Sequence, residues 1–134
     1  MDNPSKRPVP HKKGIGLRFA LAGILHVFSA ERNAKIHLFI AAMVIAAGWF
    51  LELTTTEWLV VVLCIGFVIT TEMLNSAAEM ITDIVSPGYS KEAGRIKDIA
   101  AGAVLVAAVA SVVAGLIIFI PKLAVIAGTL TGSG

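Results

Sequence analysis

Three apolar runs divide the chain, at residues 36–53, 57–82 and 98–120. A helix needs about 20 apolar residues to cross the hydrocarbon core of a bilayer, so each run is long enough, or nearly so, to span it. The mean hydropathy of +0.86 is too high for an ordinary soluble domain, whose surface must be wet. The sequence therefore predicts an all-α membrane protein with three transmembrane helices.

Basic residues are concentrated on one side of the predicted spans. Seven of the eleven lysines and arginines precede the first span, three lie between the second and third spans, and none lies in the turn at residues 54–57. By the positive-inside rule, the N-terminus and the second loop are expected on the cytoplasmic side. The net charge of +2 is too small to indicate a nucleic-acid partner.

The segment before the first span has the pattern of a surface helix. Within residues 14–33, Arg18 and His26 fall on one face while Leu17, Leu21 and Leu25 fall on the other. This period of 3.6 residues predicts an amphipathic helix that lies on the membrane surface. A flexible basic leader is expected at residues 1–13 and a C-terminal tail, too short to span, at residues 122–134 after Pro121.

Two glutamates lie in the second span. Glu72, Asn75 and Glu79 are spaced i, i+3 and i+7, so they share one helix face. Glu79 is near the end of the span and can be read as a solvated acid. Glu72 lies about 10 Å deeper, where an acid costs roughly 2.5–3.5 kcal/mol. Its position predicts a partner or a task, such as that of a general base for a hydroxyl at the bilayer surface.

Two further polar clusters flank the other spans, ERNAKIH at residues 31–37 and GRIKD at residues 94–98. Each alone is typical of charges that set membrane topology. Together with the acids of the second span, they place carboxylates, a lysine and a deep base at one membrane face. Magnesium prefers oxygen ligands, so Glu31 and Glu79 predict a magnesium site. No GxxxxGK[ST] loop or protein-kinase signature is present in the sequence.

These clusters resemble the prokaryotic diacylglycerol kinase family, whose Gram-positive branch includes undecaprenol kinases. The similar motifs are ERNAKIH, EMLNSAAE at residues 72–79, and GRIKDIAAGAVLVAA at residues 94–108. The resemblance implies a homotrimer in the bacterial inner membrane that transfers the γ-phosphoryl group of ATP to a lipid hydroxyl, with active sites shared between subunits. His37 stands where the Gram-negative branch carries an acid, which favours undecaprenol over diacylglycerol as the substrate.

The resemblance also implies a role for each residue of the site. Glu72 would be the catalytic base, and Glu31 and Glu79 would hold magnesium with ATP. Asn75 would orient the reacting groups, and Lys97 would contact phosphate. The remaining positions of the nucleotide site would be Phe19, Gly94, Arg95 and Asp98.

Two other classes of protein fit the same residues. In a small proton-coupled transporter subunit, Glu72 would be the carrier acid, because ionisable residues inside membranes often serve proton pathways. In a structural or assembly protein, the polar side chains would join helices to one another. Of these three classes, only a lipid kinase requires both ATP and magnesium. The kinase hypothesis therefore makes the most specific prediction.

Overall fold

The computed structural model describes residues 16–88 and 90–131, with side chains described as far as residue 128. Four helices follow one another: α1 Gly16–Ala30, α2 Arg32–Phe50, α3 Thr55–Val85 and α4 Lys91–Thr131. These two stretches contain no strand, which confirms the all-α prediction. Three of the helices are long and apolar enough to cross a membrane, as expected. The predicted leader and the last residues of the tail lie outside the described residues.

The turn between α2 and α3 ends in a capping box. The hydroxyl of Thr54 accepts a hydrogen bond from the backbone N–H of Glu57 at 3.4 Å. In return, the Glu57 carboxylate accepts one from the backbone N–H of Thr54 at 2.7 Å. The box satisfies backbone donors that the first turn of a helix leaves without partners. A glutamate at this position also suits the positive end of the helix dipole.

α3 is the central helix of the chain. Both α2 and α4 pack against α3, whereas α2 and α4 do not approach each other closely in the described part of the chain. On α4, Ala107 is fully buried, and the hydroxyl of Ser111 donates to its carbonyl at 2.8 Å. Small side chains let two helix backbones approach, which is how helices associate in lipid. The closest packing is therefore the α3–α4 hairpin.

Two ion pairs join α3 to α4, one near each end of the α3–α4 hairpin. Lys97 Nζ lies 2.6 Å from Asp83 Oδ1 at one end, and Lys122 Nζ lies 3.1 Å from Glu57 Oε2 at the other. Between the two lysines α4 rises about 38 Å, at 1.5 Å per residue. That length is close to the thickness of a bilayer with part of its headgroups, about 40 Å. The two pairs therefore have the spacing of the two membrane interfaces.

The ends of α4 differ from the sequence prediction of a span over residues 98–120. The helix begins at Lys91, because the Ser90 hydroxyl caps it by accepting from the N–H of Ala93 at 3.2 Å. It also continues through Pro121 to Thr131, although residues 122–134 were expected to form a tail outside it. A proline removes one helical hydrogen bond, but Lys122 is anchored to the first turn of α3 through Glu57 and to the α2–α3 turn through the carbonyl of Glu52. Membrane helices often tolerate a proline where neighbouring helices support the backbone.

The helices α1 and α2 meet at a single residue. α1 ends at Ala30, short of the expected residue 33, and α2 begins at Arg32, earlier than the expected residue 36. Between them, Glu31 has an extended backbone with φ −90° and ψ 126°. The backbone N–H of Glu31 still donates to the carbonyl of Val27 at 2.8 Å. One extended residue is enough to redirect the chain without leaving this donor unpaired.

Candidate functional site

Glu72 is buried on α3 and has a partner on α2. Its residue is only 4% exposed, and His37 Nε2 lies 3.1 Å from its Oε1 atom. Glu31 and Glu79 are close enough for their negative charges to repel the negative charge of Glu72, whereas a protonated His37 attracts it. A buried carboxylate requires a donor or an opposite charge. The sequence places both Glu72 and His37 among the polar clusters, but their contact is visible only in the structure.

Asn75 and Glu79 are linked along the same helix face. The Nδ2 group of Asn75 donates to Glu79 Oε1 at 3.0 Å, so the amide holds the carboxylate in place. The Oδ1 atom of Asn75 and the Oγ atom of Ser76 are buried and have no hydrogen-bond partner within the part of the chain that the structure describes. Buried polar atoms without partners are rare in folded proteins. Their position next to Glu72 is that of a polar site which a ligand or a neighbouring subunit would complete.

Glu31 supplies a carboxylate from the junction of α1 and α2. It occupies the N-cap position of α2, yet its side chain makes no capping hydrogen bond. Its carboxylate is thus not used as a helix cap, and it acts electrostatically on Glu72, as Glu79 does. Among the described residues, no three His, Cys, Asp or Glu side chains converge as a metal site would require. Two carboxylates nevertheless fit magnesium, because this ion keeps several waters and takes further oxygens from phosphate.

The lysine of the GRIKD cluster is near the end of α3. Lys97 is paired with Asp83, and both side chains are partly exposed to the surroundings. Gly94, Arg95 and Asp98 lie beside Lys97 in the first turns of α4, where they are exposed. Sequence reasoning missed Asp83, although its position four residues after Glu79 extends the polar face of α3 by one turn. That spacing was the signal for it.

One chain brings together only part of the predicted site. Glu31, Glu72, Asn75 and Glu79 gather where α2 meets α3, while Lys97 and its neighbours lie where α4 meets α3. Phe19, on α1, is 51% exposed, and α1 does not approach α4 in the described part of the chain. The single chain therefore leaves Phe19 apart from the lysine cluster.

An apolar cavity of about 240 Å³ lies between α2, α3 and α4. His37 is at one end of the cavity, next to Glu72. The walls are almost entirely aliphatic, and the polar side chain of Ser111 is turned to the backbone of its own helix. A hydrocarbon chain in this cavity would have its polar end near the buried carboxylate.

Comparisons with known proteins give a consistent match. A family model described as prokaryotic diacylglycerol kinase matches residues 18–119. The chain is 41% identical over 101 residues to the undecaprenol kinase of Bacillus subtilis, a match covering 75% of this chain and 82% of that protein. It is 38% identical over 110 residues to the diacylglycerol kinase of Synechocystis, covering 81% and 63%, respectively. It is also 28% identical over 90 residues to the diacylglycerol kinase of Haemophilus influenzae, covering 67% and 76%.

Proposed function

The chain belongs to the prokaryotic diacylglycerol kinase family, and from this premise we propose that it transfers the γ-phosphoryl group of magnesium-bound ATP to the hydroxyl of undecaprenol. It is an integral-membrane lipid kinase, as the sequence motifs predicted. The relatives reported above are all named as kinases, which favours the kinase over the transporter hypothesis. The observation that carries the proposal is the burial of Glu72 beside Glu31, Asn75 and Glu79.

Glu72 is the general base in this proposal. When the lipid oxygen attacks the γ-phosphorus, its proton passes to the Glu72 carboxylate, and the bond between the γ-phosphorus and the bridging oxygen of ADP breaks. Burial removes competing water, and the apolar cavity that begins at His37 suits the hydrocarbon tail of the lipid. A hydroxyl at the end of that tail would then be close to the carboxylate.

Glu31 and Glu79 are the proposed magnesium ligands. A bound magnesium ion would neutralise phosphate charge and hold the oxygens of ATP in line with the acceptor. Asn75 supports this arrangement because it already holds one oxygen of Glu79. Lys97 would contact phosphate, with Gly94, Arg95, Asp98 and Phe19 around the nucleotide.

The active form is proposed to be a homotrimer in the bacterial inner membrane, with the N-terminus in the cytoplasm. The asymmetry of lysine and arginine supports this orientation. The separation of Phe19 from α4 supports a site shared between subunits, because a neighbouring chain could supply the missing half. The outer faces of α2, α3 and α4 are apolar and exposed, as expected for helices that meet lipid or other subunits.

Undecaprenol is preferred as the acceptor over diacylglycerol. The support is the ERNAKIH segment with His37, together with the similarity to a protein named undecaprenol kinase. Because the chain is also similar to two proteins named diacylglycerol kinase, diacylglycerol is the competing acceptor.

The direct test measures transfer of labelled phosphate from magnesium ATP to undecaprenol and to diacylglycerol, side by side in mixed micelles. Wild-type protein should phosphorylate undecaprenol faster at equal lipid fraction. Glu72→Gln should lower the rate by about 100-fold or more, because an amide does not accept the proton. The matched control is Glu52→Gln, an exposed acid in the opposite turn. Faster transfer to diacylglycerol would overturn the lipid assignment, and an active Glu72→Gln protein would overturn the role of Glu72.

A further inference from the structure

We propose that His37 is a positioning residue for the catalytic base: its imidazole holds one oxygen of Glu72 so that the other oxygen accepts the proton of the lipid hydroxyl. This inference rests on the proposed role of Glu72 in lipid phosphorylation. From the sequence, His37 bears only on the choice of lipid, whereas its contact with Glu72 gives it a task in the reaction.

The first support is the geometry of the contact. His37 Nε2 approaches Oε1 of Glu72 at 3.1 Å, within hydrogen-bonding distance, and the contact joins α2 to α3. An imidazole nitrogen that carries a proton can donate to a carboxylate in either charge state of the ring. Because the contact engages Oε1, the second oxygen of Glu72 is available to another partner.

The second support is the charge around Glu72. Glu31 and Glu79 are near enough for their negative charges to repel that of Glu72, whereas His37 attracts it when the ring is protonated. The Glu72 side chain is 5% exposed, so water contributes little to its solvation. A buried carboxylate needs a hydrogen-bond donor to keep one orientation. Without His37, the Glu72 carboxylate would be expected to turn towards another donor.

The third support is the position of His37 at the end of the apolar cavity. The histidine lines the cavity and touches the base, so it is next to the place where a lipid hydroxyl would enter. In the reaction, the hydroxyl proton moves to the free oxygen of Glu72 while the lipid oxygen bonds to phosphorus and ADP leaves. His37 transfers no proton in this step. It restricts the carboxylate to the orientation from which proton transfer occurs.

The test compares His37→Leu with His37→Gln. Leucine removes the donor, and we expect kcat to fall by about 100-fold with little change in the KM for ATP or lipid, because orientation is lost but the substrate contacts remain. Glutamine has an N–H group at similar reach, so it should restore most of kcat. His26→Leu is the matched control, since His26 is exposed on α1 outside the proposed site. Size-exclusion chromatography of each variant in detergent checks that it is folded.

A second comparison uses a shorter base. Glu72→Asp draws the carboxylate away from His37, so in that background His37→Leu should cause a much smaller further loss than it does in the wild type. A folded His37→Leu protein with wild-type kcat, or equal losses in both backgrounds, would overturn the proposal. Equal inactivity of the folded leucine and glutamine variants would also overturn it, because the imidazole itself would then be required. Inactive wild-type protein would instead refute the proposed function.

Discussion

At the scale of single residues, the three glutamates of the proposed site have three different environments. Glu72 is buried and faces a histidine on another helix. Glu79 is held by an amide one helical turn away, and Glu31 is at a helix start without a capping bond. Environment decides what a carboxylate can do, as acid–base pairs in enzymes illustrate. The buried glutamate suits proton transfer, and the two more accessible ones suit a metal ion.

Replacement of Lys97 tests the phosphate contact. Lys97→Ala should raise the KM for ATP by about tenfold to a hundredfold, because a charge-assisted hydrogen bond contributes about 1.5–3 kcal/mol. The KM for the lipid should change little. Initial rates measured at varied ATP and at varied lipid separate the two constants.

The control for this prediction is Lys91→Ala, an exposed lysine at the start of α4. If Lys97 served only its ion pair with Asp83, then Lys97→Ala and Asp83→Ala would lower stability to the same extent. Both would then leave the KM for ATP unchanged, which would contradict the phosphate role.

At the scale of elements, α3 organises the site because it contacts every other helix. Its N-terminus is fixed by the capping box and by Lys122, far from the site, and its other end is tied to α4 through Asp83. The two tryptophans at the far end pack with ring centroids 5.7 Å apart. These contacts join α2 and α3 at one end of the α2–α3 hairpin. At the other end of the same two helices, His37 meets Glu72.

The close approach of α2 and α3 makes a prediction about two glycines. A Cβ atom on Gly48 would lie 2.9 Å from Cη2 of Trp58, whereas a Cβ on Gly66 would meet nothing within 4 Å. Both substitutions by alanine gain the same helix propensity, so their difference isolates the clash. Gly48→Ala should therefore be less stable than Gly66→Ala by about 1–3 kcal/mol, the usual cost of overpacking.

The measurement is the free energy of unfolding in mixed micelles, with activity followed in parallel. Equal stability of the two alanine variants would show that Trp58 moves aside without cost. In that case the tryptophan pair would not fix the α2–α3 hairpin.

At the scale of the whole molecule, one chain does not complete the proposed site. α3 carries residues of both halves, but α1 and α4 stay apart in the described part of the chain. Two buried polar atoms next to Glu72 have no hydrogen-bond partner among the described residues. A second copy that supplies the missing groups would explain both observations, and cyclic symmetry would repeat the shared site at each interface.

Mixing two impaired variants tests the shared site, provided that the rates are measured at an ATP concentration well below the raised KM of Lys97→Ala, where each variant alone is nearly inactive. Glu72→Gln and Lys97→Ala subunits, unfolded together and reconstituted in equal amounts, should recover activity if each site takes its base and its lysine from different chains. Random mixing would make about a quarter of the sites intact. Each variant reconstituted alone is the control. No recovery from mixed oligomers would place Glu72 and Lys97 of each site on the same subunit.

Much of the fold followed from the sequence because its signals are local. Apolar length predicts the three long helices. The prediction failed at Pro121, where a local rule ends a helix but a tertiary anchor at Lys122 keeps it intact. Helix boundaries that depend on such distant contacts are not encoded in a window of sequence.

The sequence by itself determined the chemistry that is available: the acids, the lysine and their spacing along helix faces, since a helix places residues three, four and seven apart on one side. Only the tertiary structure decided the partners. His37 is 35 residues from Glu72 in the chain, and Asp83 is 14 residues from Lys97. These contacts depend on the angle and register at which α2 and α4 pack on α3, which arise from the fit of many side chains together rather than from any local pattern.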